Sequence, residues 1–183
     1  MSEWNLSCTD WRTGLYAGGL LNVFERNSEK VSMACPALFM RHVSAPAWDN
    51  AFINFDHRTW FPAPNYVIMK LYRDNFAPFM VNVEGNLPNL NIVATKSEDG
   101  KNLFLKIVNP YGQPMDMAIN IADGFNVNKA SLTVVSADSL TARNTLEKPL
   151  AIAAVEKKIL SEANLIKVTL PDFSVGVIKI SKK

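Results

Sequence analysis

The chain has 183 residues, 48% of them apolar, and a formal net charge of +2 from 19 basic and 17 acidic side chains. That balance lacks the concentrated positive footprint of a nucleic-acid binder, and no apolar run approaches the ~20 residues of a membrane-spanning helix. No charged n-region precedes an apolar h-region, so no signal peptide is expected, and the length suits one domain, or a small domain with part of another.

The first notable residues are Ser2-Glu3-Trp4-Asn5. A carboxylate followed by an aromatic and an amide, just ahead of a helical segment, suits a short strand that delivers an acid to the rim of an α/β barrel. Thr9-Asp10 reads as an N-cap for a helix from Trp11 to about Arg26, with Leu15, Tyr16, Leu20, Val23 and Phe24 at helical spacing. Gly14, Gly18 and Gly19 weaken that helix by about 1 kcal/mol each against Ala, so they mark close packing, for example against a sheet. Ser28-Glu29 opens a second helical stretch with Val31, Ala34, Ala37, Leu38 and Met40 on one side, offset by Pro36. Ala51 to Asp56 reads as a buried strand, and Pro64-Asn65 opens a helix running through Tyr72. The order strand, helix, helix, strand, helix matches the last two units of a βα barrel.

The pattern changes near Phe76-Ala77-Pro78. Beyond it, period-two runs predict strands at 79–84, 90–96, 103–109, 115–121, 131–136, 166–170 and 174–180, with turns at 98–101, 109–112 and Asp123-Gly124. Residues 150–160 fit either a helix or an extended stretch. Short strands at this spacing predict an antiparallel sandwich, with Phe104, Phe125 and Phe173 in its core. The fold class is therefore α/β followed by all-β. With only two histidines, and with Cys8 and Cys35 at no metal-binding spacing, neither a metal nor a cofactor is expected, and the thiols read as reduced. Met33, Met40, Met69, Met115 and Met117 read as core filler.

Several ordered motifs resemble the α-L-arabinofuranosidases of glycoside hydrolase family 51. They are Ser2-Glu3-Trp4-Asn5, the run Asp10 to Asn22, Met33-Ala34-Cys35-Pro36-Ala37-Leu38, Pro64-Asn65-Tyr66 with Lys70-Leu71, Asn144 to Pro149 and Leu170 to Val175. The resemblance implies that residues 1–76 are the C-terminal portion of a catalytic (β/α)8 barrel and residues 77–183 a jelly-roll-like C-terminal β-sandwich. It implies a retaining hydrolase that releases terminal α-L-arabinofuranosyl groups from arabinan- or arabinoxylan-type polysaccharides. The partner would be an arabinose-containing oligo- or polysaccharide, with no nucleic acid and no membrane, and the parent protein a homo-oligomer, cytoplasmic or secreted. A non-catalytic carbohydrate-binding or assembly sandwich is the alternative. A retaining glycosidase acting on xylosides is a third reading.

Within that resemblance Glu3 matches the nucleophile, and its acid/base partner would lie upstream of this chain. Strand alternation turns Trp4 away from the face of Glu3, between strand and helices, and returns Asn5 to it. Asn5 then either supports the site by hydrogen bonding or makes a turn or cap. His57 follows the second strand and is a candidate sugar contact, in competition with Asp56 and Arg58 and with a simple capping role for all three. Trp60 would wall the sugar subsite or pack in the core. Asp10 and Arg12 read as a cap and an ion pair.

Overall fold

The computed structural model describes residues 3–85, 90–122 and 124–183. Helix α1 spans Trp11–Arg26 and begins at Asp10, whose Oδ1 accepts the N–H of Arg12 at 3.2 Å while its carbonyl accepts from Thr13. The Arg12 side chain closes back on the same carboxylate, Nη2 to Oδ2 at 2.6 Å. Asp10→Ala is expected to cost about 1 kcal/mol by loss of the cap, read by urea denaturation. The Arg12 guanidinium holds the Asp10 carboxyl below its ordinary value of 3.8. A depressed carboxyl stabilises the fold above its unfolded value, and the gain disappears as pH falls through the folded one. The two proteins should therefore converge in stability in acid, below that ordinary value.

The buried face of α1 is a line of small and polar residues, Gly14, Ala17, Gly18 and Asn22, behind Trp11. The predicted apolar stripe is only partly covered: Leu15, Leu20 and Phe24 pack against the core, while Tyr16 and Val23 stay exposed. The glycines explain the preference. A Cβ on Gly18 would lie 3.0–3.1 Å from the methyls of Val175 and Val108, so Gly lets the helix backbone approach the sheet of the second half.

The second predicted helix does not form. After a turn at residues 27–30 the chain runs extended, and Pro36 bridges Trp4 in parallel. Pro36 disfavours helix at and before its own position, and strand pairing supplies the backbone partners instead. Met33 and Met40 are consequently largely exposed rather than core filler. Three short strands follow: β1 (Met40–His42), β2 (Ile53–Phe55) and β3 (Trp60–Pro62). β1 pairs β2 in parallel and β2 pairs β3 antiparallel. Helix α2, Pro64–Asp74, starts with Pro at its first position and packs Ile68, Leu71 and Tyr72 inward. The described parallel pairings join only a few strands, and no closed barrel forms from these residues.

From β4 (Phe79–Val81) onward the regular elements among the described residues are all strands: β5 (Asn91–Lys96), β6 (Asn102–Asn109), β7 (Met115–Asn120), β8 (Val127–Ser136), β9 (Val155–Ile159), β10 (Ser161–Glu162), β11 (Leu165–Leu170) and β12 (Ser174–Lys182). The ambiguous stretch at 150–160 thus contains β9. Asp123 of the predicted turn lies outside the described residues, and Gly124 beside it has φ +91°. A six-stranded antiparallel sheet, β4-β5-β6-β12-β8-β9, faces a three-stranded one, β10-β11-β7. Leu105, Ile107, Leu132, Ile178 and Ile180 fill the space between them with Met117, Ile166 and Leu170. The opposite face of the large sheet presents Phe104, Val108, Val135, Val175 and Val177 to α1, α2 and Trp11. Its central strands are buried on both sides, so they read as near-continuous apolar runs. Phe104 is core, as expected, while Phe125 and Phe173 are half-buried at its margins.

Candidate active site

Glu3 stands immediately before a backbone segment that is tied down. Trp4 N–H donates to Cys35 O at 3.0 Å, and Ala37 N–H donates to Trp4 O at 3.1 Å. The Trp4 ring is buried edge-on against Phe52 and Phe24, with centroids 5.4 and 6.0 Å away. Alternation sends Glu3 to the other face, and its side chain is exposed.

Asn5 is a junction of three segments. Its Nδ2 donates to Asn50 O at 2.7 Å, and its Oδ1 accepts Leu6 N–H at 2.8 Å and Asn65 Nδ2 at 3.1 Å. Asn65 is buried at the start of α2, and Asn50 returns a bond from its own Nδ2 to Leu6 O. The amide therefore locks the stretch after Glu3 against the β1–β2 connection and against α2. Both carbonyl lone pairs are used, so Asn5 orients its neighbours.

His57 and Trp60 meet in one corner. The register aligns His42, Phe55 and Trp60 in a row across β1, β2 and β3. His42 sits edge-on to Phe55 and stacks on His57, each with a centroid separation of 5.5 Å, and its Nδ1 lies 2.7 Å from Ser44 Oγ. Trp60 is 52% exposed and touches Tyr66 edge-on at 6.5 Å. It is not the core residue that its hydrophobicity suggests, because β3 is an edge strand and this row faces outward. Asp56 is occupied by the turn it makes: Oδ1 accepts the N–H groups of Arg58 at 2.7 Å and Thr59 at 2.8 Å. Those bonds hold its carboxyl below the ordinary range.

The Trp4 bridge to Pro36 lies six residues before His42 along the same run, up to about 20 Å of extended chain. Among the described residues, no hydrogen bond joins Glu3 to Asn5, His57 or Trp60. The His42 stack, the Asn50 contact and the bond of Asn65, itself legible only as a helix opener and motif residue, to Asn5 escaped sequence reasoning. Each depends on register or on contacts across more than ten residues, and no local pattern signals them. Cys8 and Cys35 are free thiols. Among the described residues no cluster of three or more His, Cys, Asp or Glu side chains could hold a metal ion.

Residues 5–174 match the family model described as the α-L-arabinofuranosidase C-terminal domain. No curated protein sequence matches the chain. Among solved structures, the α-L-arabinofuranosidase of Thermotoga maritima in complex with arabinose matches at TM-score 0.81 and 22% identity, over 98% of this chain and 42% of that one. The thermostable family 51 enzyme of Thermotoga petrophila matches at 0.84 and 23%, over 99% and 42%. The catalytic domain of a family 30 xylanase from Talaromyces cellulolyticus matches at 0.75 and 14%, over 99% and 40%. This chain thus shares its fold with these proteins and spans well under half the length of each.

Proposed function

Because the chain belongs to the α-L-arabinofuranosidase C-terminal domain family, we propose that it is the C-terminal part of a retaining arabinofuranosidase in which Glu3 is the nucleophile. On this reading residues 1–76 are the final βα units of the barrel and residues 77–183 the sandwich packed on it. The observation that carries the proposal is the placement of Glu3. An exposed carboxylate precedes a backbone segment held in parallel pairing by two hydrogen bonds, with the next residue, Trp4, anchoring the segment from behind. Such barrels carry their active sites at the C-terminal ends of parallel strands.

The Glu3 carboxylate attacks the anomeric carbon of a terminal arabinofuranosyl group. A second carboxyl group gives its proton to the departing oxygen, and the resulting glycosyl ester is then hydrolysed. That second group stands about 5–5.5 Å from the first in retaining enzymes and belongs, on this proposal, to a longer parent protein. Asn5 fixes the strand end. His57 offers a polar contact and the exposed face of Trp60 an apolar wall for the sugar. The substrate is an arabinose-containing oligo- or polysaccharide, and the parent enzyme is a homo-oligomer.

Two assays with p-nitrophenyl α-L-arabinofuranoside test the reading. The purified chain should give no turnover. In the full-length parent, Glu3→Gln should lower kcat by on the order of 10³-fold or more. Turnover by the chain alone that disappears in Glu3→Gln would show that no outside carboxyl is needed. Retention of parental activity in Glu3→Gln would remove Glu3 from the mechanism.

A further inference from the structure

One residue along from the His42–Phe55–Trp60 row, the register aligns Arg41, Asn54 and Phe61 across the same three strands. Neighbouring rows point to opposite faces, so this row looks away from the corner that holds His57 and Trp60. It forms one wall of a cleft of about 280 Å³, whose other wall is residues 143–147 from the second half of the chain.

Hydrogen bonds tie down the backbone of both walls. Asn144 is buried, and its Nδ2 donates to Pro62 O at 2.9 Å and to Ile152 O at 3.1 Å, while its Oδ1 accepts Ile152 N–H at 2.7 Å. It thereby ties the 143–147 segment to β3, the strand that carries Phe61. Arg41 spends its guanidinium on Ala45 O and Ala47 O, which holds the loop leading to Asp49. The cleft is preformed, and its walls do not have to be ordered by a ligand.

Thr145 Oγ1 accepts the Lys148 N–H at 3.1 Å and Glu147 bonds Thr145, but other polar groups of the lining lack partners among the described residues. Asn54 is only 3% exposed, and its Nδ2 donates to Ala51 O at 3.2 Å, but its Oδ1 accepts nothing. Asn54 lines the cleft, so its free carboxamide acceptor is available to a ligand there. The Asp49 carboxylate, the Arg143 guanidinium and the Thr9 hydroxyl border the same space, and none has a hydrogen bond or ion pair among the described residues. Two guanidiniums, Arg41 and Arg143, balance two carboxylates, Asp49 and Glu147, so the cleft favours neither cation nor anion. It offers acceptors, donors and one aromatic ring. That inventory matches a sugar ring, whose hydroxyls both donate and accept and whose C–H face packs on an aromatic. The volume lies at the lower end of small-ligand sites, which limits the occupant to a single ring.

We propose that this cleft between the three short strands and the 143–147 segment binds one neutral monosaccharide unit. Asp49 and Arg143 engage its vicinal hydroxyls, Asn54 Oδ1 accepts from a third, and Phe61 lies under its apolar face. The site stands independently of the role assigned to Glu3 and needs no chemistry there.

The test is titration of the full chain with methyl α-L-arabinofuranoside, D-xylose and inorganic phosphate, followed by amide chemical-shift mapping. Saturable binding of a sugar is expected, with Kd about 1 mM. Perturbations should centre on residues 41, 54, 61 and 143–147. Arg143→Ala and Asp49→Ala, both at exposed side chains, should each weaken binding about tenfold without moving Tm. Four outcomes overturn the proposal. These are the absence of saturable sugar binding, perturbations confined to residues 3–5 and 57–60, binding unchanged in both variants, and phosphate binding that excludes the sugar. None of them bears on turnover in Glu3→Gln, so failure here and failure of the nucleophile assignment are separable.

Discussion

Glu25→Ala is expected to destabilise the protein by about 3–5 kcal/mol, a large share of the ~5–15 kcal/mol that holds a typical domain together. Lys106 sits in the middle of β6 on the face covered by α1 and is 0% exposed. Its Nζ bonds Glu25 Oε1 and lies 5.2 Å from the centroid of the Tyr72 ring. The other carboxylate oxygen, Oε2, is buried with no partner among the described residues. Removing the acid would strand an ammonium inside the junction between the two halves. Lys106→Met removes the charge itself, and the pair Glu25→Leu with Lys106→Met should recover most of the loss. Urea midpoints for the single and double variants measure this, and a Glu25→Ala protein as stable as the wild type would contradict it. Burial lowers the pKa of Lys106 from its ordinary 10.5, while Glu25 opposes the shift. Between the lowered folded value and 10.5 the unfolded chain binds more protons, so stability should rise with pH through that window. Removing Glu25 lowers the folded pKa further and should extend the window downward.

Trp11→Ala is expected to cost about 3–5 kcal/mol as well, for a different reason. Trp11 is fully buried where α1 meets the sandwich. Its backbone N–H donates to Ala142 O at 2.8 Å and its Nε1 to Phe173 O at 2.6 Å. Gly14 leaves room for the ring: a Cβ there would fall 2.3 Å from Trp11 Cζ3. Truncation would open a cavity at the junction and remove the Nε1 bond to Phe173 O, leaving the start of α1 held to the second half there by the backbone bond to Ala142 O. The segment from Glu3 to Asp10 should then become the preferred site of limited proteolysis. Trp11→Phe keeps most of the packing and loses one hydrogen bond, for about 1 kcal/mol. Equal losses in the two variants would show that the hydrogen bond, and not the ring volume, dominates.

The two features differ in how visible they are in the sequence. Trp11 stands just inside a recognisable N-cap, and the glycines at 14 and 18 announce a close approach on that side of the helix. Lys106 interrupts an otherwise apolar run, Leu103 to Val108, which flags an unusual lysine without naming its partner. Glu25 lies 81 positions away, and only the packing of α1 across β6 brings the two together. The false helix after Ser28 has a related origin. Val31, Ala34, Leu38 and Met40 satisfy a helical period, but Trp4 offers unpaired backbone groups that the extended chain satisfies better, and Pro36 opposes the helix.

Local chemistry determined much in advance. The Asp10 cap, helix α1, helix α2 behind its proline, the period-two strands beyond Phe79 and the ordered motifs shared with family 51 are all short-range patterns, set by side chains within a few residues of one another. Tertiary structure alone decided the rest. It set the six-against-three strand order, the exposure of Trp60, the His42–His57 stack, the knot around Asn5, the Lys106–Glu25 pair and the cleft over Asn54. Each of these depends on register or on contacts between segments tens of residues apart. No local preference encodes such contacts, because only the assembled core brings the two sides within reach.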